Sequence, residues 1–177
     1  IRIVPDLYIA WHAGKSSWKN YKSLNQTSIG IEITNPGHEH GYKKFTQKQI
    51  SSLLKLSKLL LKKYKISPKN FLGHSDIAAQ RKKDPGEKFP WEYLSKNKIG
   101  IWHTINKKKL KKNRKLKISK IEKNSFFNNL FKIGYSEKYP KDKSENKYLR
   151  ELTKTFQRRF RQELVNGKID QECLLIS

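Results

Sequence analysis

Apolar residues return along this chain with two different periods, and the switch between them sets out the elements. From Ser28 to Ile33 they alternate, with β-branched Ile at 29, 31 and 33. That spacing predicts a strand with one buried face, closed by the turn residues Asn35-Pro36-Gly37. Further on the period lengthens, and Ile50, Leu53, Leu54, Leu60, Leu61 and Tyr64 mark one face of a helix. Thr46 is its expected N-cap, Gln49 completes a capping box, and Ser67-Pro68 ends it. Residues 1–4 alternate weakly and read as a strand end, and residues 5–26 as loop with short helical turns. Asn70-Phe71-Leu72-Gly73 reads as a short strand, residues 74–90 as polar loop, and Trp91–Leu94 as the start of a short helix. Helical spacing returns at Phe126, Phe127, Leu130, Phe131 and Ile133, ending at Gly134. It returns again at Leu149, Leu152, Phe156 and Phe160, before an Asn166-Gly167 turn and a further element beginning after Asp170. Strands and helices mixed through the first hundred residues predict an α/β (α+β) domain with helices against a sheet, followed by a small all-α region.

Composition divides the chain further. Residues 103–125 hold ten Lys/Arg, one acid (Glu122) and no aromatic residue. They are expected to form an exposed basic linker between a 1–102 domain and a helical 126–177 region. Over all 177 residues, 40 Lys+Arg face 15 Asp+Glu, a formal net charge of +25. Such a balance favours a polyanionic partner, whether nucleic acid or an anionic surface. Only seven of the basic residues are Arg. Arg supplies the bidentate contacts of base and phosphate recognition, so a Lys- and Asn-rich chain of this kind reads as codon bias before it reads as a specific nucleic-acid binder. A mean hydropathy of −0.87, with no apolar run near ~18 residues, excludes a transmembrane helix of ordinary length. The single Cys173 excludes an intrachain disulfide framework and a Cys-rich zinc cluster. The sequence opens on Ile1 with no signal-peptide pattern, which reads as a processed or truncated start.

Four stretches are candidates for chemistry. His74, at a strand end, and Asp84, in an Asp-Pro-Gly turn, lie ten positions apart, and one loop can fold both side chains onto a cation. Imidazole and carboxylate are both good zinc ligands. Lys82, two residues before Asp84, could stabilise an oxyanion developing near such a metal. The alternative is a loop-packing histidine beside a turn-forming aspartate. Glu32, between Ile31 and Ile33, points away from the core face, where a carboxylate can act as general base on a metal-bound water; the alternative is an ordinary solvent-facing strand residue. Trp11-His12-Ala13-Gly14 with Trp18 could wall a sugar or peptide groove, or pack as a loop with two buried Trp anchors. Phe156-Gln157-Arg158-Arg159-Phe160, taken alone, is an amphipathic helix.

Trp11-His12-Ala13-Gly14, Ser28-Ile29-Gly30-Ile31-Glu32, Gly73-His74 and Arg81-Lys82-Lys83-Asp84-Pro85-Gly86 follow one another in an order and spacing that resembles the type-2 N-acetylmuramoyl-L-alanine amidases. These are the zinc enzymes that include phage lysozyme-amidases and peptidoglycan recognition proteins. The resemblance covers about residues 1–102. The tail is similar to part of a helical peptidoglycan-binding domain, through Phe156–Phe160 and Asn166-Gly167-Lys168-Ile169-Asp170. The resemblance implies a central mixed β-sheet flanked by helices and one Zn²⁺ in a surface cleft. It implies hydrolysis of the amide between N-acetylmuramic acid and L-Ala in peptidoglycan or muropeptides. By the same resemblance His74 and Asp84 are zinc ligands, Glu32 activates water, Lys82 stabilises the oxyanion, and Trp11, His12, Ala13 and Gly14 line the substrate groove.

The chain departs from the family at one point. The family's first zinc ligand is a His on an opening strand upstream of the Trp-His-Ala-Gly motif, and no His precedes Trp11 here. His38 and His40 fall in the loop after the predicted strand and are poor substitutes. The expectation is therefore an N-terminally truncated, monomeric amidase of the periplasm or cell envelope, whose linker charge contacts anionic envelope surfaces. The rival reading is a peptidoglycan-binding remnant that has lost zinc, and a basic nucleic-acid-binding protein comes third.

Overall fold

The structure is a computed structural model that describes residues 1–5, 8–136 and 144–177. The loop expected over 5–26 and the helical region expected over 126–177 each extend partly outside these residues. Seven α-helices follow one short hairpin among the described residues: β1 (Ser17–Trp18), β2 (Tyr21–Lys22), α1 (Gln47–Lys63), α2 (His74–Ile77), α3 (Trp91–Lys96), α4 (Lys107–Asn113), α5 (Lys120–Ile133), α6 (Glu145–Phe160) and α7 (Gln171–Ile176).

Helix α1 starts where its cap is written. The Thr46 hydroxyl accepts from the Gln49 N–H at 3.2 Å, and the Gln49 side chain accepts from the Thr46 N–H at 2.8 Å. Two of the first-turn N–H groups that a helix leaves orphaned are thereby satisfied. Ile50 and Leu53 are buried, and Leu54 and Leu61 pack with Leu53 against Phe89, Trp91, Leu94 and Ile99. Helix α5 begins with a second capping box, Ser119 with Glu122, so it takes in residues 120–125 that composition had assigned to the linker.

The expected central mixed sheet is absent among the described residues, where the only ladder is the antiparallel β1–β2 pair. Residues 28–33 form no ladder, and 70–73 follow a 3-10 turn over Pro68–Asn70 rather than a strand. An alternating pattern becomes a strand only where its N–H and C=O groups meet a neighbouring chain, and here no described segment supplies one. The alternation itself survives: Ile31 and Ile33 pack on the α1–α3 core while Glu32 between them is exposed.

The larger core spans the length of the chain. Phe126, Phe127 and Leu130 of α5 and Tyr148, Leu152, Phe156 and Phe160 of α6 pack with Ala13, Trp18 and Leu24 from the first loop. Trp18 meets Tyr135 edge-to-face at 5.1 Å between ring centroids. Gly134 stands at φ 139°, where a Cβ would lie 2.7 Å from the Trp18 ring, so only glycine lets α5 end this close to the indole. The basic segment 103–125 is not simply an exposed connector. Leu110 of α4 is buried, α4 packs on α7, and Arg114 forks onto the buried Glu172 at 2.6 and 2.7 Å. All five residues of the Phe156–Phe160 stretch are buried, its polar side chains included. The Gln157 amide holds the Asn166-Gly167 turn, accepting from both N–H groups at 2.9 and 2.8 Å and donating to the Lys168 carbonyl at 2.8 Å.

Candidate functional site

Two backbone ties bring His74 and Asp84 together. The Ser75 N–H donates to the Asp84 carbonyl at 2.9 Å, closing the loop between them. The far side of the Asp84-Pro85-Gly86 turn is gripped by Tyr42, whose hydroxyl donates to the Pro85 carbonyl at 2.6 Å and accepts from the Lys88 N–H at 2.9 Å. Burial pushes the Tyr42 hydroxyl up to about 12, which keeps it a neutral donor. In this frame His74 Nδ1 faces Asp84 Oδ2 at 3.1 Å, and Nε2 faces the Ala13 carbonyl at 3.2 Å. Partial burial works to raise the Asp84 pKa. The hydrogen bond and charge of His74 outweigh it, with a further contribution from Lys82, and the carboxyl lies below its ordinary value.

The Trp11–Gly14 loop is fixed from three directions. The Asn25 side-chain oxygen accepts from the Ala13 and Gly14 N–H groups at 2.7 and 3.2 Å. Arg81 donates to the Ala13 carbonyl at 2.7 Å and the Lys15 carbonyl at 3.1 Å, so Arg81 and His74 share one acceptor. His12 is pinned by both ring nitrogens, Nδ1 to the Ala10 carbonyl at 2.7 Å and Nε2 to the Ser28 hydroxyl at 2.9 Å. A Cβ on Gly30 would lie 2.7 Å from that ring, so this glycine lets residues 28–33 run against His12. The two tryptophans part company: Trp18 is 4% exposed and belongs to the core, whereas Trp11 is 88% exposed.

Of the residues singled out in the sequence, the structure thus joins His74, Asp84 and Ala13 directly, with Gly14 and Lys82 beside them. His12 is linked through the loop. Glu32 is exposed and makes no hydrogen bond or ion pair with the cluster among the described residues. His38 is engaged elsewhere, pairing with Glu87 at 3.0 Å and lying over the Tyr42 ring. Sequence reading gave no role to Arg81, Asn25, Tyr42 or Asp76, because each acts through a partner 11 to 83 positions away. Asp76, two residues past His74, is buried among the Gly73 N–H (2.8 Å), the Tyr135 hydroxyl (2.7 Å) and the Arg159 guanidinium. Arg159 also lies over the Trp91 ring at 4.0 Å. The loop that carries His74 is therefore bolted to α6.

As a metal centre the cluster has the right donor chemistry and too few donors. Imidazole and carboxylate suit zinc, yet a catalytic zinc takes three protein ligands. No group of three His, Cys, Asp or Glu residues is placed to hold an ion among the described residues.

The chain belongs to the N-acetylmuramoyl-L-alanine amidase family, whose sequence profile matches residues 1–87. AmiD of Escherichia coli, an N-acetylmuramoyl-L-alanine amidase, is 35% identical over 181 residues, covering 99% of this chain and 64% of AmiD. The 1,6-anhydro-N-acetylmuramyl-L-alanine amidase AmpD of Haemophilus influenzae is 41% identical over 88 residues, covering 49% of this chain and 46% of that protein. Among solved structures, E. coli AmiD with anhydro-N-acetylmuramic acid-L-Ala-D-gamma-Glu-L-Lys superposes with a TM-score of 0.83 at 34% identity, covering 99% of this chain and 69% of AmiD. AmpDh3 of Pseudomonas aeruginosa with an anhydromuramic pentapeptide gives 0.82 at 32% identity, covering 99% and 70%. The mostly helical fold described above therefore matches the AmiD and AmpDh3 structures over nearly its whole length, while the chain spans 64% of AmiD and less than half of AmpD.

Proposed function

We propose that this chain forms the substrate groove and part of the catalytic centre of an N-acetylmuramoyl-L-alanine amidase that acts on peptidoglycan or its muropeptides in the cell envelope. The observation that carries this reading is the His74–Asp84 pair held against the Ala13 carbonyl, in a chain whose relatives bind anhydro-muropeptides. Trp11, His12, Ala13 and Gly14 line the groove, the free Trp11 face covering the sugar or stem peptide. His74 and Asp84 are two donors to a zinc ion, which when bound supplies a Lewis acid for the scissile carbonyl. Glu32 takes a proton from the attacking water and returns it to the departing L-Ala amine. The Lys82 ammonium stabilises the oxyanion of the attacked carbonyl. In the same reading 1–102 is the amidase part, 103–125 the basic linker and 126–177 the wall-binding part, with both ends contributing to one core.

Hydrolysis requires a third protein donor beside His74 and Asp84. A second reading, muropeptide binding without turnover, is favoured by the two-donor count among the described residues. Zinc titration by calorimetry, combined with chromatography of an anhydro-muramyl tripeptide incubated with the protein, separates the two. The amidase reading expects zinc uptake and release of free stem peptide. Glu32→Ala then abolishes release and keeps zinc, and Asp84→Ala loses both. Muropeptide binding with neither zinc nor release supports the second reading, and the absence of both binding and release overturns the two together.

A further inference from the structure

Helix α1 turns an unusual face to solvent. No acidic residue lies between Glu39 and Asp76, and residues 43–69 carry nine lysines. At 100° per residue, Lys48, Lys55 and Lys62 fall on one line seven positions apart, directly opposite the buried Ile50, Leu53 and Ser57. At the same angular step Leu59 lies about 40° to one side of that line and Leu56 about 100°, and both are exposed, at 59% and 44%. A soluble surface gains nothing from two solvated leucines among lysines, whereas an anionic bilayer rewards both kinds of residue. At one end the face runs into a shallow groove of about 500 Å³ lined by Lys58, Leu61, Pro68, Lys96, Asn97 and Lys98. Lys96 there is paired with Glu92, leaving Lys58 and Lys98 over the apolar floor of Leu61 and Pro68.

We infer that the outer face of α1 is a docking surface for an anionic phospholipid membrane. Lys48, Lys55, Lys58 and Lys62 meet headgroup phosphates, and Leu56 and Leu59 enter the headgroup–acyl boundary. This moves the expected anionic contact from the 103–125 segment, where Leu110 and Arg114 are turned inward, to a face with charge and apolar area together. Docking of this kind needs neither metal nor turnover, so its failure leaves the amidase reading untouched.

Sedimentation of the 177-residue chain with vesicles of phosphatidylcholine alone, or with about 30 mol% phosphatidylglycerol at ~0.1 M salt, tests it. Binding is expected on the anionic vesicles and not on the neutral ones. Lys48→Glu/Lys55→Glu/Lys62→Glu should weaken it by roughly a hundredfold, and the equally charged control Lys108→Glu/Lys109→Glu/Lys112→Glu on α4 by less than about threefold. Leu56→Ser/Leu59→Ser should weaken vesicle binding about tenfold while leaving binding to inorganic polyphosphate unchanged. Equal losses in the two lysine triples would reduce the effect to diffuse net charge and overturn the proposal. So would vesicle binding that ignores the two leucines, or a soluble polyanion that responds to them. Circular dichroism on each variant confirms that the fold is retained.

Discussion

The helical end of the chain and the run around Glu32 are held in opposite ways. Beyond residue 113, guanidinium groups are matched to carboxylates inside the protein: Arg159 to Asp76, Arg161 to Asp170, and Arg114 and Arg161 to Glu172. The Asp76–Arg159 and Asp170–Arg161 pairs are also fastened to backbone groups, since a buried charge must be satisfied if it is not to destabilise the fold. Residues 28–33 have none of this. Their N–H groups make no backbone hydrogen bond among the described residues, and Ile29 is 47% exposed. Both regions carry a clear sequence pattern, but only one finds its partners. The difference shows that the His74 loop takes its position from the helices through Asp76, whereas residues 28–33 are placed only by packing on His12 and the α1–α3 core.

The largest test of that contrast is Arg159→Met. It strands the Asp76 carboxylate in the core and should cost about 3–5 kcal/mol in denaturant unfolding, whereas Glu32→Gln at the exposed run should stay within about 0.5 kcal/mol. A loss as small for Arg159 as for Glu32 would break the comparison. Gly134→Ala comes next. The new methyl meets the Trp18 ring at a backbone conformation that suits glycine, and thermal unfolding should register a loss of roughly 1–3 kcal/mol. Tyr135→Phe keeps the ring against Trp18 and removes the hydroxyl from Asp76, at about 1 kcal/mol. Hydrogen exchange sharpens the same point, with the Ile31 and Ile33 amides exchanging far ahead of those in α6.

The smallest effect is one of pH. Burial works to raise the Asp170 pKa, but the Lys115 and Cys173 N–H groups and the Arg161 charge outweigh it and hold it low. A carboxyl depressed in the folded state contributes fully above its unfolded pKa and loses that contribution as pH falls through the folded one. The unfolding midpoint of the wild type should therefore fall more steeply than that of Asp170→Asn between about pH 4 and pH 2. Parallel curves would remove Asp170 from the set of groups that hold the helical end.

The local features of this protein were legible because their partners are close in sequence. The Thr46–Gln49 capping box, the face of α1, the alternation of Ile31, Glu32 and Ile33, and the end of α5 at Gly134 each depend on residues within a few positions. Motif order also marked His74, Asp84 and the Trp11–Gly14 loop. What no local pattern carries is a partner far along the chain. Whether the alternating run becomes a strand depends on a neighbour supplying hydrogen bonds. Whether Trp11 or Trp18 is buried depends on where Gly134 and Tyr135 end up. The basic segment gains an inward side because Arg114 finds Glu172, 58 positions away. The sequence by itself determined the helix caps and faces and the motif that names the family; the tertiary structure alone decided which polar groups meet, because burying a charge is tolerable only where the fold delivers its opposite.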